Sequence, residues 1–400
     1  MVLISAHTSD ELNGGNTHYF AARASRLSRP ERLEAARRAG LKTVAVVGAA
    51  LPEELFWACG AAPVMLGRLA GCIGGLGDGS DGSDRSNGSD LPDGAGGVGL
   101  CFARDACAVA RTAFELLTRH WIPAGLVDAV VVAAGCDWTA RLGDRLDGRV
   151  PVWPLHAGRS RAGNGHGRNG AAHASVLAGL KQMAAALEEL TDVPLAREAF
   201  LRSYDQSRML DDFRDRLDAL RVAGGLRASD FRLMTGALEL ADPERWVEEV
   251  ELFFLHAAPP ASFEPPDTPR VLLGGCPTGF PDDAFLRAVE RSGLRIVGED
   301  FHVHGPQAFR RPAPHGGRRD ILHWAAQGLV DAASPLPPAE AEGTLWLHYR
   351  GCAASAMESA TRRAESGPAL VVELEQTSPV PEALRTRLEA FREQLLARRT

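Results

Sequence analysis

The chain has no apolar run approaching the roughly 20 residues a helix needs to cross a bilayer, so no membrane-spanning segment is expected. It has no excess of positive charge. Lys and Arg total 44 against 51 Asp and Glu, a formal charge of −7. A nucleic-acid partner, which would want a basic face, is therefore not expected. The Arg-rich stretches, from Arg23 to Arg38 and at Arg310, Arg311, Arg318 and Arg319, alternate with acids or prolines and read as solvated surface. There is no C-x-x-C pair, the usual mark of a short structural zinc site. The cysteine count, seven, is odd, and no signal peptide is read at the start, so a disulfide framework is not expected either. Residues 1–17 are polar and expected to fray. By default the protein is expected in the cytoplasm.

What is present is an ordinary globular composition, 45% hydrophobic and 24% charged, in a chain of 400 residues. That length allows roughly two or three domains, each with its own core. Short β-branched runs at 43–48, 63–66, 129–134 and 150–155 read as buried strands, with helices between them from Pro52 and over about 105–120. Strands alternating with helices imply a parallel sheet. Residues 71–99, rich in Gly, Ser and Asp, cannot bury a core and read as a flexible loop. Helical periodicity then holds over 172–190, 195–220 and 231–255. Five prolines over 259–269 mark a linker. A second α/β unit comes next, with strands at 270–274, 294–297, 344–348 and 369–373 and helices at 282–292, after Cys352 and from Glu382. The expectation is an α/β protein with two doubly wound parallel-sheet units (Rossmann/flavodoxin-like) joined by a helical connector. Its divisions are a polar tail and helix (1–35), a first α/β domain (36–160), the connector (171–258) and a second α/β domain (268–400).

Three cysteines sit where such units place their sites. Cys101 lies in Gly99-Leu100-Cys101-Phe102. Cys136 follows the strand 129–134, and Cys352 follows the strand 344–348. Ligands in open α/β sheets bind beyond the carboxyl ends of strands, so thiols far apart in sequence can converge. The residues alone leave three readings open: a buried cysteine acting as a small hydrophobe, a zinc site, or a thiolate trio holding an iron–sulfur cluster with one iron open. Cys59, Cys72, Cys107 and Cys276 read as packing or loop residues.

Other motif matches carry less. Gly165-His166-Gly167-Arg168-Asn169-Gly170 satisfies G-x-G-x-x-G, but the strand before it ends near Leu155, too far for the tight turn that holds a pyrophosphate. Gly74 to Asp78 resembles one turn of a calcium β-roll without the stacked repeats that fold needs. His156, His166 and His173 lack a carboxylate at ligand spacing and read as surface residues. His302 and His304 follow a strand end, either as a polar loop cap or facing a site.

Several segments together resemble the 2-hydroxyacyl-CoA dehydratase and benzoyl-CoA reductase subunit family. They are Val46-Val47-Gly48 with Leu51-Pro52-Glu53-Glu54-Leu55, Ala58-Cys59-Gly60 and Ala62-Pro63-Val64; then Leu100-Cys101; then Gly135 through Leu142. Next come Pro269 through Gly275, Gly293 through Asp300, and finally Glu373-Leu374-Glu375 with Thr386 through Phe391. They run in order from about residue 40 to 395.

The resemblance implies that Cys101, Cys136 and Cys352 ligate a [4Fe–4S] cluster. Its reaction would be one-electron radical chemistry on an acyl-CoA thioester. The electron enters the thioester carbonyl and the neighbouring hydroxyl leaves onto the open iron; in the reductases an aromatic ring is reduced instead. It implies a homologous second subunit and an ATP-dependent iron–sulfur activator protein as partners. His302 and Glu54 are the neighbouring candidates for catalysis. The chain departs from the family pattern in the insertion at 71–99, in Ala353-Ala354-Ser355 after Cys352, in His302, and in Gln376 after Glu375. Two other readings stand beside this one: a non-catalytic partner subunit that supplies an interface and pocket walls, and a reductase of the same fold acting on another small substrate.

Overall fold

The computed structural model describes residues 31–48, 51–66, 107–134, 137–156, 166–238, 241–256, 267–276, 284–301, 312–331, 341–352, 367–374, 380 and 382–399. Strand β3 (Ala129–Ala134) consists wholly of Val and Ala, β1 (Lys42–Gly48) does so from Val44 to Val47, and the two form the centre of a parallel sheet. With β2 (Ala61–Met65) and β4 (Val152–His156), the order is β2-β1-β3-β4. Alternation divides the central strands between two buried faces. Ala45, Val47, Val130 and Val132 meet helices α1 (Glu31–Arg38), α3 (Ala108–Glu115) and α4 (Asp137–Leu146). Val44, Val46, Ala129 and Val131 meet α2 (Glu53–Ala58) and α5 (His166–Thr191). Burial on both faces is why these strands read as unbroken apolar runs. Helix α3 widens into a π-helical turn, Leu116–Trp121, that buries Trp121.

The connector is helical: α6 (Arg197–Val222), α7 (Ala228–Ala237) and α8 (Pro243–His256). The helical pattern over 231–255 is thus two helices. The carboxylate of Asp242 accepts the N–H groups of Glu244 at 3.0 Å and Arg245 at 3.2 Å, while Pro243 opens the new helix in the position where its missing N–H costs nothing. Helix α6 ties the two units together. Its Phe200 lies in the core of the first unit. At its far end Arg221 donates to Ile296 O at 3.0 Å, and Val222 O accepts from Arg295.

The second sheet contains β5 (Arg270–Gly275), β6 (Arg295–Phe301), β7 (Gly343–Tyr349) and β8 (Ala369–Leu374), all parallel, in the order β6-β5-β7-β8. One face buries Val271, Leu273, Ile296, Leu345, Leu347 and Val372 under α9 (Ala284–Arg291) and α11 (Glu382–Ala397). Two four-stranded parallel sheets with flanking helices match the expected fold class.

The sequence pattern assigns no helix between β6 and β7, and the structure has one, α10 (Arg318–Asp331). It does not join the second sheet's core. Ile321, Leu322, Ala325, Ala326 and Val330 are buried in the core of the first unit, and Trp324 stands edge-on to Phe200 and Tyr204, with centroids 5.4 and 6.1 Å away. The chain therefore leaves the second unit after β6, packs on the first, and returns to form β7.

Candidate functional site

Both sheets reverse direction at the same place. The chain runs from a central strand out to one edge and crosses back to the far side, so the reversal falls between β1 and β3 in one sheet and between β5 and β7 in the other. Such a reversal opens a crevice at the carboxyl ends. A glycine ends each first strand. Gly48 has φ +100° and Gly275 φ +96°. A Cβ on Gly48 would stand 2.1 Å from Ala133 O, and one on Gly275 2.0 Å from Leu347 O. Only glycine allows both that backbone angle and that approach.

At the first crevice, the chain leaving β1 enters α2, and Glu54 is the second residue of that helix. It is 6% exposed. Burial pushes its carboxyl up to about 7; its own backbone N–H and the Ser207 hydroxyl act against that rise, and the charges of Glu53 and Asp211 add to it. On α6, Ser207 and Asp211 lie close enough to act on it, and its charge in turn acts on Tyr204. Asp211 is buried and paired with Arg214 at 3.1 Å and Arg208 at 3.8 Å. Burial also raises the Tyr204 phenol. A carboxyl poised near neutral pH can give or take a proton. This setting was only half readable in sequence: the Pro-Glu-Glu-Leu motif placed Glu54 at a helix start, but nothing local named α6 as its cover.

At the second crevice stands Cys352. Gly351, with φ +80°, turns the chain as it leaves β7, and the Cys352 N–H donates to Tyr349 O at 2.9 Å. The thiol is half-buried and packs against Cys276 and Tyr349. It lies just past the carboxyl end of β7. On the sheet face opposite the α9/α11 core, His348 Nε2 lies 3.2 Å from Glu373 Oε2, in register across β7 and β8, and its Nδ1 is buried without a hydrogen bond. Sequence reasoning passed over Cys276 and this His–Glu pair, because their proximity depends on strand register.

Cys101, Cys136 and His302 lie outside the described residues. Among the described residues no group of three or more His, Cys, Asp or Glu gathers at metal-binding distance. Sulfur donors suit an iron–sulfur cluster, and of the three proposed ligands Cys352 lies among the described residues, half-buried just past the carboxyl end of β7. Cys59 does not. It is fully buried, and burial pushes its thiol up to about 12, with Glu188 adding to the rise and Arg318 opposing it. His173 stacks on His323 at 5.5 Å. Residues 166–170, the tail of the G-x-G-x-x-G match, already belong to α5.

No helix among the described residues is long and apolar enough to cross a membrane. No curated protein gives a significant match to the chain. The family described as 2-hydroxyglutaryl-CoA dehydratase, D-component, matches residues 49–395, a span that begins just after Gly48, contains both reversal points and ends inside α11. The chain belongs to the 2-hydroxyglutaryl-CoA dehydratase D-component family, and is a component of the 2-hydroxyacyl-CoA dehydratase type.

Proposed function

We propose that this chain is the iron–sulfur subunit of a 2-hydroxyacyl-CoA dehydratase, or of a related acyl-CoA reductase of the same family. Cys101, Cys136 and Cys352 would hold a [4Fe–4S] cluster at the carboxyl ends of the two sheets. The observation that carries this reading is the half-buried Cys352 thiol at the reversal point of the second sheet, in a chain matched to the dehydratase family almost end to end. When bound, such a cluster supplies a low-potential electron and, with three protein ligands, an iron open to the substrate's leaving group.

The protein's own groups supply the rest. The carboxyl ends of β1, β3, β5 and β7, at the two reversal points, are where an acyl-CoA thioester would bind. Glu54, buried and shifted toward neutral pH, would handle the proton that leaves or joins the substrate. His302, placed by sequence after β6, remains its proposed companion. The D-component description supports a partner subunit in the same system; a homologous second chain and an ATP-dependent activator that delivers the electron complete the proposal, with the cytoplasm as its site of action.

Iron content tests it. Anaerobically purified protein is expected to be brown, with about four irons per chain. Cys136→Ser and Cys352→Ser are expected to lose most of that iron, while Cys59→Ser keeps it. Unchanged iron in the first two variants would reject the ligand assignment. A colourless wild-type protein, stable in air, would instead favour a non-catalytic partner subunit.

A further inference from the structure

Two buried carboxyls lie within electrostatic reach of each other across α2 and α6, and only one of them has cations. Glu54 and Asp211 are both buried, and the charge of Asp211 bears on Glu54. Asp211 pairs with Arg214 at 3.1 Å and with the partly exposed Arg208 at 3.8 Å. Among the described residues no cation pairs with Glu54, and its side-chain hydrogen bond comes from the Ser207 hydroxyl. Ser207 and Asp211 stand four residues apart on α6, with Tyr204 three residues before Ser207, so the three share one face of the helix. The other acid that bears on Glu54 is Glu53 on its own helix, and β2, also packed on α2, carries no titratable side chain. Burial favours a neutral carboxyl, whereas adjacent guanidiniums favour a charged one, and a second negative charge close by makes ionising both costlier still. The two arginines therefore decide between the carboxyls: Asp211 carries the charge and Glu54 the proton. Carboxyls in such unlike settings divide acid and base states between them.

We propose that Ser207 and Asp211 are positioning residues for Glu54. Asp211, kept ionised by Arg208 and Arg214, confines the exchangeable proton to Glu54. The Ser207 hydroxyl fixes the carboxyl and steadies it once the proton has gone. This rests on the reading of Glu54 as the proton-handling group given above, and not on the cluster. The two residues act in opposite senses. A hydroxyl that donates to a carboxylate weakens its hold on the proton, and a neighbouring negative charge strengthens it. Transfer to the substrate breaks the Glu54 O–H bond and leaves a carboxylate that accepts the Ser207 O–H; the proton's return restores the acid, with no change in oxidation state. Packing alone does not call for this stripe, since burying a hydroxyl and a carboxylate along a helix face costs stability that apolar side chains would not.

The test titrates the full-length protein from acid to mildly alkaline pH by infrared difference spectroscopy. The carboxylic-acid band that Glu54→Gln removes belongs to Glu54, and its midpoint is read in each variant. Ser207→Ala is expected to move the midpoint upward, by about tenfold in proton affinity, the worth of one hydrogen bond to a charged group. Ser207→Thr, which keeps the hydroxyl, is expected to hold the wild-type midpoint. Asp211→Asn is expected to move it downward. If circular dichroism shows that Asp211→Asn does not fold, Arg208→Gln takes its place, with an upward shift expected because Asp211 loses a counter-charge. Water let in by a loosened interface would move every variant toward the ordinary carboxyl value. Unchanged midpoints, shifts of Ser207→Ala and Asp211→Asn in the same direction, or Ser207→Thr behaving as Ser207→Ala therefore overturn the proposal and spare Glu54. A neutral-pH band removed by Asp211→Asn and not by Glu54→Gln, or no such band at all, overturns both.

Discussion

The first central strand ends Val46-Val47-Gly48 and the second ends Leu273-Gly274-Gly275, and each closing glycine lies against the carbonyl of the strand that lies across the reversal point, Ala133 in one sheet and Leu347 in the other. Strand orders match position by position. The residues after the glycine differ. The first unit runs on through Leu51 and Pro52 into α2 and buries a carboxyl, Glu54. The second places a thiol at once, Cys276, beside another from β7. One backbone device is thus followed by a buried carboxyl in one unit and by two packed cysteines in the other. The covering helices differ as well: α2 is backed by α6 within the first unit, whereas α10, which the topology of the second unit would keep at home, is lent to the first.

The sharpest way to break this comparison is to give either glycine a side chain. Gly48→Ala and Gly275→Ala each force a Cβ to within about 2 Å of a backbone carbonyl at a φ that L-residues rarely adopt. Left-handed strain costs roughly 1–3 kcal/mol, and overpacking a well-filled site adds about 1–3 more. Each variant is expected to lose about 3 kcal/mol or more in urea unfolding, by similar amounts. A Gly275→Ala protein of near wild-type stability would show that the second turn is not built like the first.

A second, smaller effect separates the two crevices by pH. The folded-state value for Glu54, about 7, lies above the ordinary 4.5. Below the unfolded value both states are protonated, and the protein has its full stability. As pH rises toward 7 the unfolded chain ionises first, so stability falls, and it levels off once Glu54 ionises in the fold. With Glu54 almost wholly buried, the loss reaches up to about 3 kcal/mol, since each tenfold change in proton affinity is worth roughly 1.4 kcal/mol. Glu54→Gln is expected to flatten this slope, gaining stability over wild type at pH 8 and little at pH 4. Chemical denaturation at the two pH values measures it. A variant that tracks the wild-type profile would remove Glu54 as the poised group and take proton handling away from the first unit.

Much of this plan was legible in the sequence. Strands β1 and β3 stood out because burial on both faces makes their centres unbroken Val and Ala runs, β5, β7 and β8 as short apolar runs, and parallel pairing followed from their alternation with helices. The strand ends, and with them the position of Cys352, came from the same runs. What escaped was whatever depends on distant pairing. Helix α10 carries a core face, Ile321, Leu322, Ala325, Ala326 and Val330, yet its sequence does not tell which unit that face will cover. Cys276 looked like a packing residue because its nearness to Cys352, far along the chain, comes from β5 and β7 lying side by side. The break at Asp242-Pro243 was readable, since Pro behind a capping carboxylate is a helix start, but the apolar period running across it hid the cap.

The smallest predicted effect concerns how the lent helix is held. Each unit has a forked Arg–Glu pair with two hydrogen bonds. Arg318, at the start of α10, grips Glu188 of α5 at 3.0 and 3.1 Å. Arg399, just past α11, grips Glu342 ahead of β7 at 2.5 and 2.7 Å. In both, the hydrogen bond from Arg holds the carboxyl below the usual carboxylate range. A lowered folded value contributes stability above the unfolded one, and that contribution is lost as pH falls through the folded value. The side chains are partly exposed, 42% and 24% for Arg318 and Glu188, so solvent screening keeps each pair to about 0.5 kcal/mol at neutral pH. Arg318→Ala and Arg399→Ala are therefore expected to cost similar, small amounts at pH 7, and nothing once the carboxylates are protonated. Their local effects should differ. Glu342 ties neighbouring parts of one unit, whereas Glu188 joins α10 to α5, a helix of the other unit. Hydrogen exchange should thus quicken along α10 in Arg318→Ala and stay unchanged there in Arg399→Ala. Equal protection of α10 in both would mean that its buried face alone, Ile321 through Val330, keeps the helix on the first unit.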